Sequence, residues 1–338
     1  MIRYSGDVIL TLQHCAYGCG RKAGDFQLKI ERVQYKDIAA IRCRGRRLSA
    51  TFSQKSGAKL LSLYDCINKT ELLDQTPGEN YRKPAYDMCY TSAECSGFDD
   101  MFPTIDECRY DAAPWKGVGL PDHGEVWALT WEMEITDSTL HFWTYSPRFA
   151  YRLDKWIRQH GNGFRIHYKV RNLCEWEFKC IYAAHCMLAA RENARLELPF
   201  ADGSECLTIF SDFQELGKYG DPVTWSKQNG VELDRSYPRG IAKGFKIYFK
   251  DRIPQGWCRY WYNEQTALEI AFDPMSLPYF AVWANYGAFQ KKYNVAIEPC
   301  TAPMDDPFTA QKYGALTALP AYGTKEWHLD FSMVEYQR

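Results

Sequence analysis

The stretch FRIHYKV, Phe164 to Val170, alternates without a break: Phe164, Ile166, Tyr168 and Val170 are apolar, and Arg165, His167 and Lys169 are polar. Successive side chains of an extended strand point to opposite faces. A period of two therefore describes a strand with one face buried and one in water. The turn GNG, Gly161 to Gly163, stands directly before it. Working outward, ARLELP repeats the pattern with Leu196 and Leu198, and KGFKIYFK, ALEIAF, PYFAVWA, YNVAIEP and EWHLDFSMVEY continue it. DPM at Asp273 to Met275 and YGT at Tyr322 to Thr324 punctuate the series. No long segment has helical periodicity. MDDPFTAQKYG predicts one short helix, with an Asp cap, Pro307 in the first turn and Gly314 as the stop. Many short strands and few short helices describe an all-β chain, an antiparallel sandwich or barrel. Residues 1–30 read as a short lead-in, and 31–338 as one domain.

Composition narrows the partners. The 338 residues carry a net charge of -1 with both signs interspersed, which gives no electrostatic case for nucleic acid or an anionic membrane. No apolar run is long enough to span a bilayer, and the opening MIRYSGDVILTLQHC does not read as a signal peptide. The 13 cysteines lack paired CxxC spacing, and Cys15 and Cys19 have no second half to complete a zinc site. Reduced thiols in a cytoplasmic protein are expected, with no metal and no cofactor, since no glycine-rich phosphate loop follows a strand.

Three short motifs carry chemistry. In LPDHGEVWALTWEM, Leu120 to Met133, the alternation from Glu125 onward puts Trp127, Leu129, Trp131 and Met133 on one strand face, with His123 at the strand mouth. In IYAAHCMLAA, both faces are apolar, so His185 projects from a central strand between small residues. In YNVAIEP, Glu298 is expected last on its strand: Ala296 leaves room beside it, and Pro299 stops the ladder. Taken singly, each histidine reads as a hydrogen-bonded core residue and Glu298 as a solvated strand-end charge. His167 and His328 fall on polar strand faces.

Taken together, the motifs resemble the aldose 1-epimerase (galactose mutarotase-like) family, over about Ser56 to Tyr336. SGAKLLSLYDCINKTELL is similar to that family's opening, with a Gly-Ala turn before a strand. PDHGEVW and AAHCMLAA resemble its two histidine motifs, NVAIEPCTAP its late glutamate motif, and LPAYGTKEWHLDFSMVEY its closing turn and strand. The resemblance implies a β-supersandwich with the site on the concave face of a large antiparallel sheet. It also implies an isomerase that interconverts sugar anomers, with Glu298 as general base, His185 as general acid and His123 hydrogen-bonding the substrate. The ligand would be a monosaccharide or the sugar end of a glycan. The chain departs from the family pattern around the first histidine, which sits in Pro-Asp-His-Gly-Glu, and in the upstream arginine, for which Arg82 or Lys83 in YRKPAYD is the nearest counterpart.

Further substrate contacts are expected from the segment SGFDDMFPTIDE: Asp99, Asp100 and Asp106 as hydroxyl acceptors and Phe102 against a sugar face. Asp122, Trp283 and Asn285 complete the expected set. Two alternatives remain on the same fold. One is a carbohydrate-binding protein. The other is a glycoside-cleaving enzyme, in which Glu298 would pair with Glu125 or Asp122. A hexose-phosphate epimerase would want clustered arginines near the motifs, and none is present.

Overall fold

The structure is a computed structural model that describes residues 27–315 and 317–336. Most of residues 1–30, including Cys15 and Cys19, lies outside the described residues. A 12-stranded and an 8-stranded sheet make up the body, with three two-stranded ribbons beside them. The strands of both sheets pair antiparallel. The two sheets face one another across a continuous apolar core. Phe98 of the larger sheet meets Phe331 of the smaller at 6.0 Å between ring centroids, and Phe52 meets Phe142 at 6.1 Å. This is the β-supersandwich that the resemblance implies, and of the sandwich or barrel that the strand pattern left open it is the sandwich.

The periodic segments fold as their sequences predict. Gly163–Asn172 buries Phe164, Ile166, Tyr168 and Val170. It lies between Tyr151–His160 and the long closing strand Thr324–Glu335. His167 and His328 are cross-strand neighbours on its outer face. Pro307–Lys312 is the short helix, capped by Asp306, whose Oδ1 accepts from the backbone N–H groups of Phe308 and Thr309. Gly57 and Ala58 turn with φ of +67° and +47° into the strand Lys59–Asp65. No helix among the described residues is long and apolar enough to cross a membrane.

Two expectations are corrected. The alternation after Glu125 is not one strand: Val126–Ala128 is a turn of 3₁₀ helix, and extended structure begins only at Glu132. Trp127 and Trp131 are buried by that turn rather than by a pleated face. The strand of Glu298 also does not end there. Tyr293–Cys300 continues past Pro299, which pairs with Phe280 on one side. On the other side the ladder with Ala183–Ala189 skips from Ile297 to Cys300, so the missing proline N–H falls in a gap of that ladder.

Candidate functional site

Four adjacent strands of the larger sheet build the floor: Ala183–Ala189, Tyr293–Cys300, Tyr279–Tyr286 and Gly244–Phe249. Their register lays side chains of one face in cross-strand rows. One row holds Asp99, His185, Glu298, Ala281 and Tyr248. The next holds Met187, Ala296, Trp283, Lys246 and Phe210. The third holds Ala189, Asn294, Asn285 and Gly244. Ala296 at the centre leaves a hollow that larger neighbours surround. The cavity over this floor has a volume of about 270 Å³, and His123, His185, Glu298 and Lys246 all line it.

Glu298 has no exposed surface. Its Oε1 is 2.9 Å from His185 Nδ1, and its Oε2 is 3.6 Å from Lys246 Nζ and has no hydrogen-bond donor. Burial alone would raise this carboxyl, but the Lys246 ammonium, and after it His185, outweigh burial and hold it down at about 2. Lys246 is itself buried, which disfavours its charge; Asp305 and Glu298 more than offset that and raise it above the ordinary lysine value. Its ammonium lies 2.6 Å from Asp305 Oδ1, which also accepts from the Tyr248 hydroxyl at 2.8 Å.

His123 arrives from a turn rather than a strand. The Gly124 N–H donates to Pro121 O, and His123 and Gly124 take φ of +62° and +76°. A Cβ on Gly124 would lie 2.3 Å from the Phe102 carbonyl oxygen, so only glycine fits beside that strand. Glu125 anchors the turn by accepting from the hydroxyls of Tyr86, Ser146 and Tyr151. Asp122 Oδ1 lies 2.6 Å from His123 Nδ1, while its Oδ2 accepts from the Tyr90 backbone N–H. Burial raises the Asp122 carboxyl, and the bond to His123 pulls it below the ordinary value. Tyr90 then stacks on His123 at 4.0 Å and meets His185 edge-on at 5.8 Å.

Both imidazoles are thus held through Nδ1 by a carboxylate, His123 by Asp122 and His185 by Glu298. That leaves Nε2 of each ring as the nitrogen without a protein partner. The rings stand perpendicular, 5.7 Å apart. Two proton-exchanging nitrogens and a carboxylate therefore converge on one small cavity, which suits acid–base chemistry. Among the described residues no group of three or more His, Cys, Asp or Glu side chains is arranged to hold a metal ion.

The remaining expected contacts divide. Trp283 and Asp106 line the cavity, and burial together with Asp305 raises the Asp106 carboxyl. Asn285 lines it too, but both ends of its amide bond the Phe289 backbone, so it holds the hairpin. Asp122 lines a neighbouring cleft instead. Asp99 and Asp100 do not form a rim, because each is buried against a lysine. On the site face Asp99 accepts from Lys59 at 2.7 Å and from the Tyr90 hydroxyl; on the core face Asp100 accepts from Lys155 at 2.8 Å and from Tyr182. Phe102 packs edge-on against Tyr151 in the core. Arg82 is exposed and lines no part of the cavity.

Sequence reading missed Lys246, Asp305, Tyr90 and Asn294. Lys246 did leave a signal, a single charge inside Gly244–Phe249, whose six residues are all buried. Asp305 left a weaker one: Asp305 and Asp306 are adjacent, and a helix cap uses only one.

No protein-family model and no curated protein sequence matches the chain. Solved structures do. A galactose mutarotase-like protein from Lactobacillus casei is 15% identical with a TM-score of 0.61, covering 87% of this chain and 99% of its own. A galactose mutarotase-like protein from Clostridium acetobutylicum is 12% identical with a TM-score of 0.59, over 92% and 99%. A Klebsiella pneumoniae protein provisionally named an aldose 1-epimerase is 14% identical with a TM-score of 0.67, over 92% and 85%. The chain has the fold of the galactose mutarotase-like proteins, at 12% to 15% sequence identity.

Proposed function

We propose that the protein is an aldose 1-epimerase, which interconverts the α and β anomers of a sugar by opening and reclosing its ring. One observation carries the reading. Glu298 is paired with His185 at the floor of an open cavity, and its second carboxylate oxygen has no donor. A buried acceptor without a donor is costly, and a sugar hydroxyl would satisfy this one.

In this reading Glu298 Oε2 takes the proton from the anomeric hydroxyl, and doubly protonated His185 gives its Nε2 proton to the ring oxygen. The bond from the anomeric carbon to the ring oxygen breaks, leaving an open-chain aldehyde, a protonated Glu298 and a neutral His185. Rotation about the adjacent carbon–carbon bond presents the other carbonyl face. Ring closure then returns both protons, so nothing is consumed. Each positioned proton transfer contributes about 10² to 10⁴ in rate. His123, fixed by Asp122, donates to or accepts from a neighbouring hydroxyl.

The glycoside-cleaving alternative has less support. Glu125 is occupied by three hydroxyls, and Asp122 opens on another cleft. The free thiols of all eleven described cysteines support a reducing, cytoplasmic setting.

Proton NMR of freshly dissolved aldoses tests the proposal. The protein should accelerate anomer exchange for at least one sugar, and Glu298→Gln, compared at a temperature where both proteins are folded, should lower that rate by about 10² to 10⁴. A folded Glu298→Gln protein exchanging at the parent rate would remove this glutamate from the mechanism.

A further inference from the structure

The cavity floor contains a second buried acceptor without a donor, Asn294 Oδ1. Its orientation is fixed: Asn294 Nδ2 donates to Asp74 Oδ2 at 2.9 Å, and a carbonyl oxygen turned toward that carboxylate would repel it. Asn294 lines the same cavity as Glu298, on the same face of the same strand and four residues before it. At about 3.3 Å per strand residue the two positions are about 13 Å apart. With bond lengths near 1.5 Å, one pyranose ring spans only about 5 to 6 Å between its 1- and 4-oxygens. A single sugar on Glu298 therefore leaves Asn294 Oδ1 unpaired; two linked rings reach both.

The wall between the two acceptors is aromatic. Trp283 is the cross-strand neighbour of Ala296, midway between them. Phe210 stacks on Trp283 at 5.8 Å, and Phe289 meets it edge-on at 6.1 Å. Phe210 and Phe289 are among the exposed large hydrophobic residues of the molecule, an arrangement suited to the apolar faces of sugar rings.

We propose that the cavity is built for a reducing disaccharide, or the reducing end of a longer glycan. The anomeric hydroxyl lies at Glu298, the rings lie along Trp283, and a hydroxyl of the second ring donates to Asn294 Oδ1. The proposal rests on the epimerase reading of Glu298 and His185.

The test compares glucose with maltose, cellobiose and lactose, whose reducing rings are all glucose. At least one disaccharide should show a kcat/KM for anomer exchange ten-fold or more above that of glucose. Asn294→Ala should lower that ratio by about five- to ten-fold, the worth of one neutral hydrogen bond. If Asn294→Ala does not fold, the preference of the parent protein still decides. Glucose exchanged as well as every disaccharide, or a ratio unmoved in folded Asn294→Ala, overturns the second-ring site and leaves the epimerase standing. If no sugar is exchanged, the epimerase reading fails, and quenching of tryptophan fluorescence by the same four sugars decides the site. Disaccharide binding ten-fold tighter than glucose supports it, and equal or absent binding overturns it.

Discussion

Replacing Lys246 by methionine tests what keeps Glu298 ionised. The ammonium lies 3.6 Å from Glu298 Oε2. At an effective dielectric constant of about 20, unit charges at that distance attract by about 4.6 kcal/mol, equivalent to about 3 pKa units. Asp305, 2.6 Å from the same ammonium, keeps its charge in the variant, and a surrounding that screens more strongly than this constant assumes would lessen the effect, so the expected rise is about 1 to 3 units. Burial then acts unopposed by that charge, and Glu298 should move from about 2 into or above the ordinary carboxylate range. Carboxyl-carbon NMR of glutamate-labelled protein reads the titration directly.

The sign in stability follows. In the parent, a depressed carboxyl adds stability above the ordinary carboxylate pKa and loses it as pH falls toward about 2. In the variant, with Glu298 back near the ordinary carboxylate range, most of that contribution is absent. Removing one partner of a buried pair costs about 3 to 5 kcal/mol. The melting deficit of the variant should therefore be full at neutral pH and shrink as pH falls from about 4.5 toward about 2. A folded Lys246→Met protein in which Glu298 still titrates near its parent value would refute the argument.

Gly124→Ala should lower the melting temperature and anomer exchange together, since its Cβ would press on the Phe102 carbonyl oxygen and displace His123; a fully active, equally stable variant counts against the turn as the positioner of that ring. His123→Asn should slow exchange less than His185→Asn, measured by NMR on samples matched for melting, because His123 orients the substrate in this reading; the reverse order would exchange their roles. Anomer exchange should survive exhaustive chelation with EDTA, and loss followed by recovery on adding a divalent ion would favour metal-assisted chemistry.

Much of the fold was legible because strand alternation is a local property: Gly163–Asn172 and Thr324–Glu335 each state their buried face in their own residues. The helix at Pro307 was equally local, written in one Asp, one Pro and one Gly. The Trp127 segment misled because alternation over a few residues also fits a tight turn whose aromatics are buried by tertiary contacts. The acidic pair Asp99 and Asp100 looked like a solvated rim because their partners, Lys59 and Lys155, are 40 and 55 residues away. Lys246 and Asn294 were hidden for the same reason. Their meaning is fixed by cross-strand register, which joins chain segments that sequence alone does not align.

That acidic pair has a consequence for how the protein can change. Its two carboxylates leave one short strand in opposite directions, Asp99 to Lys59 in the same sheet and Asp100 to Lys155 in the facing one. Sliding the strand by one residue either way would keep one pair and set Phe98 or Met101 against the other lysine, stranding a buried ammonium. The edge beside His185 thus has a single tolerable alignment. Mutations can restyle the aromatic wall around Trp283, while an insertion or deletion in Phe98–Met101 would be expected to cost the whole chain its fold.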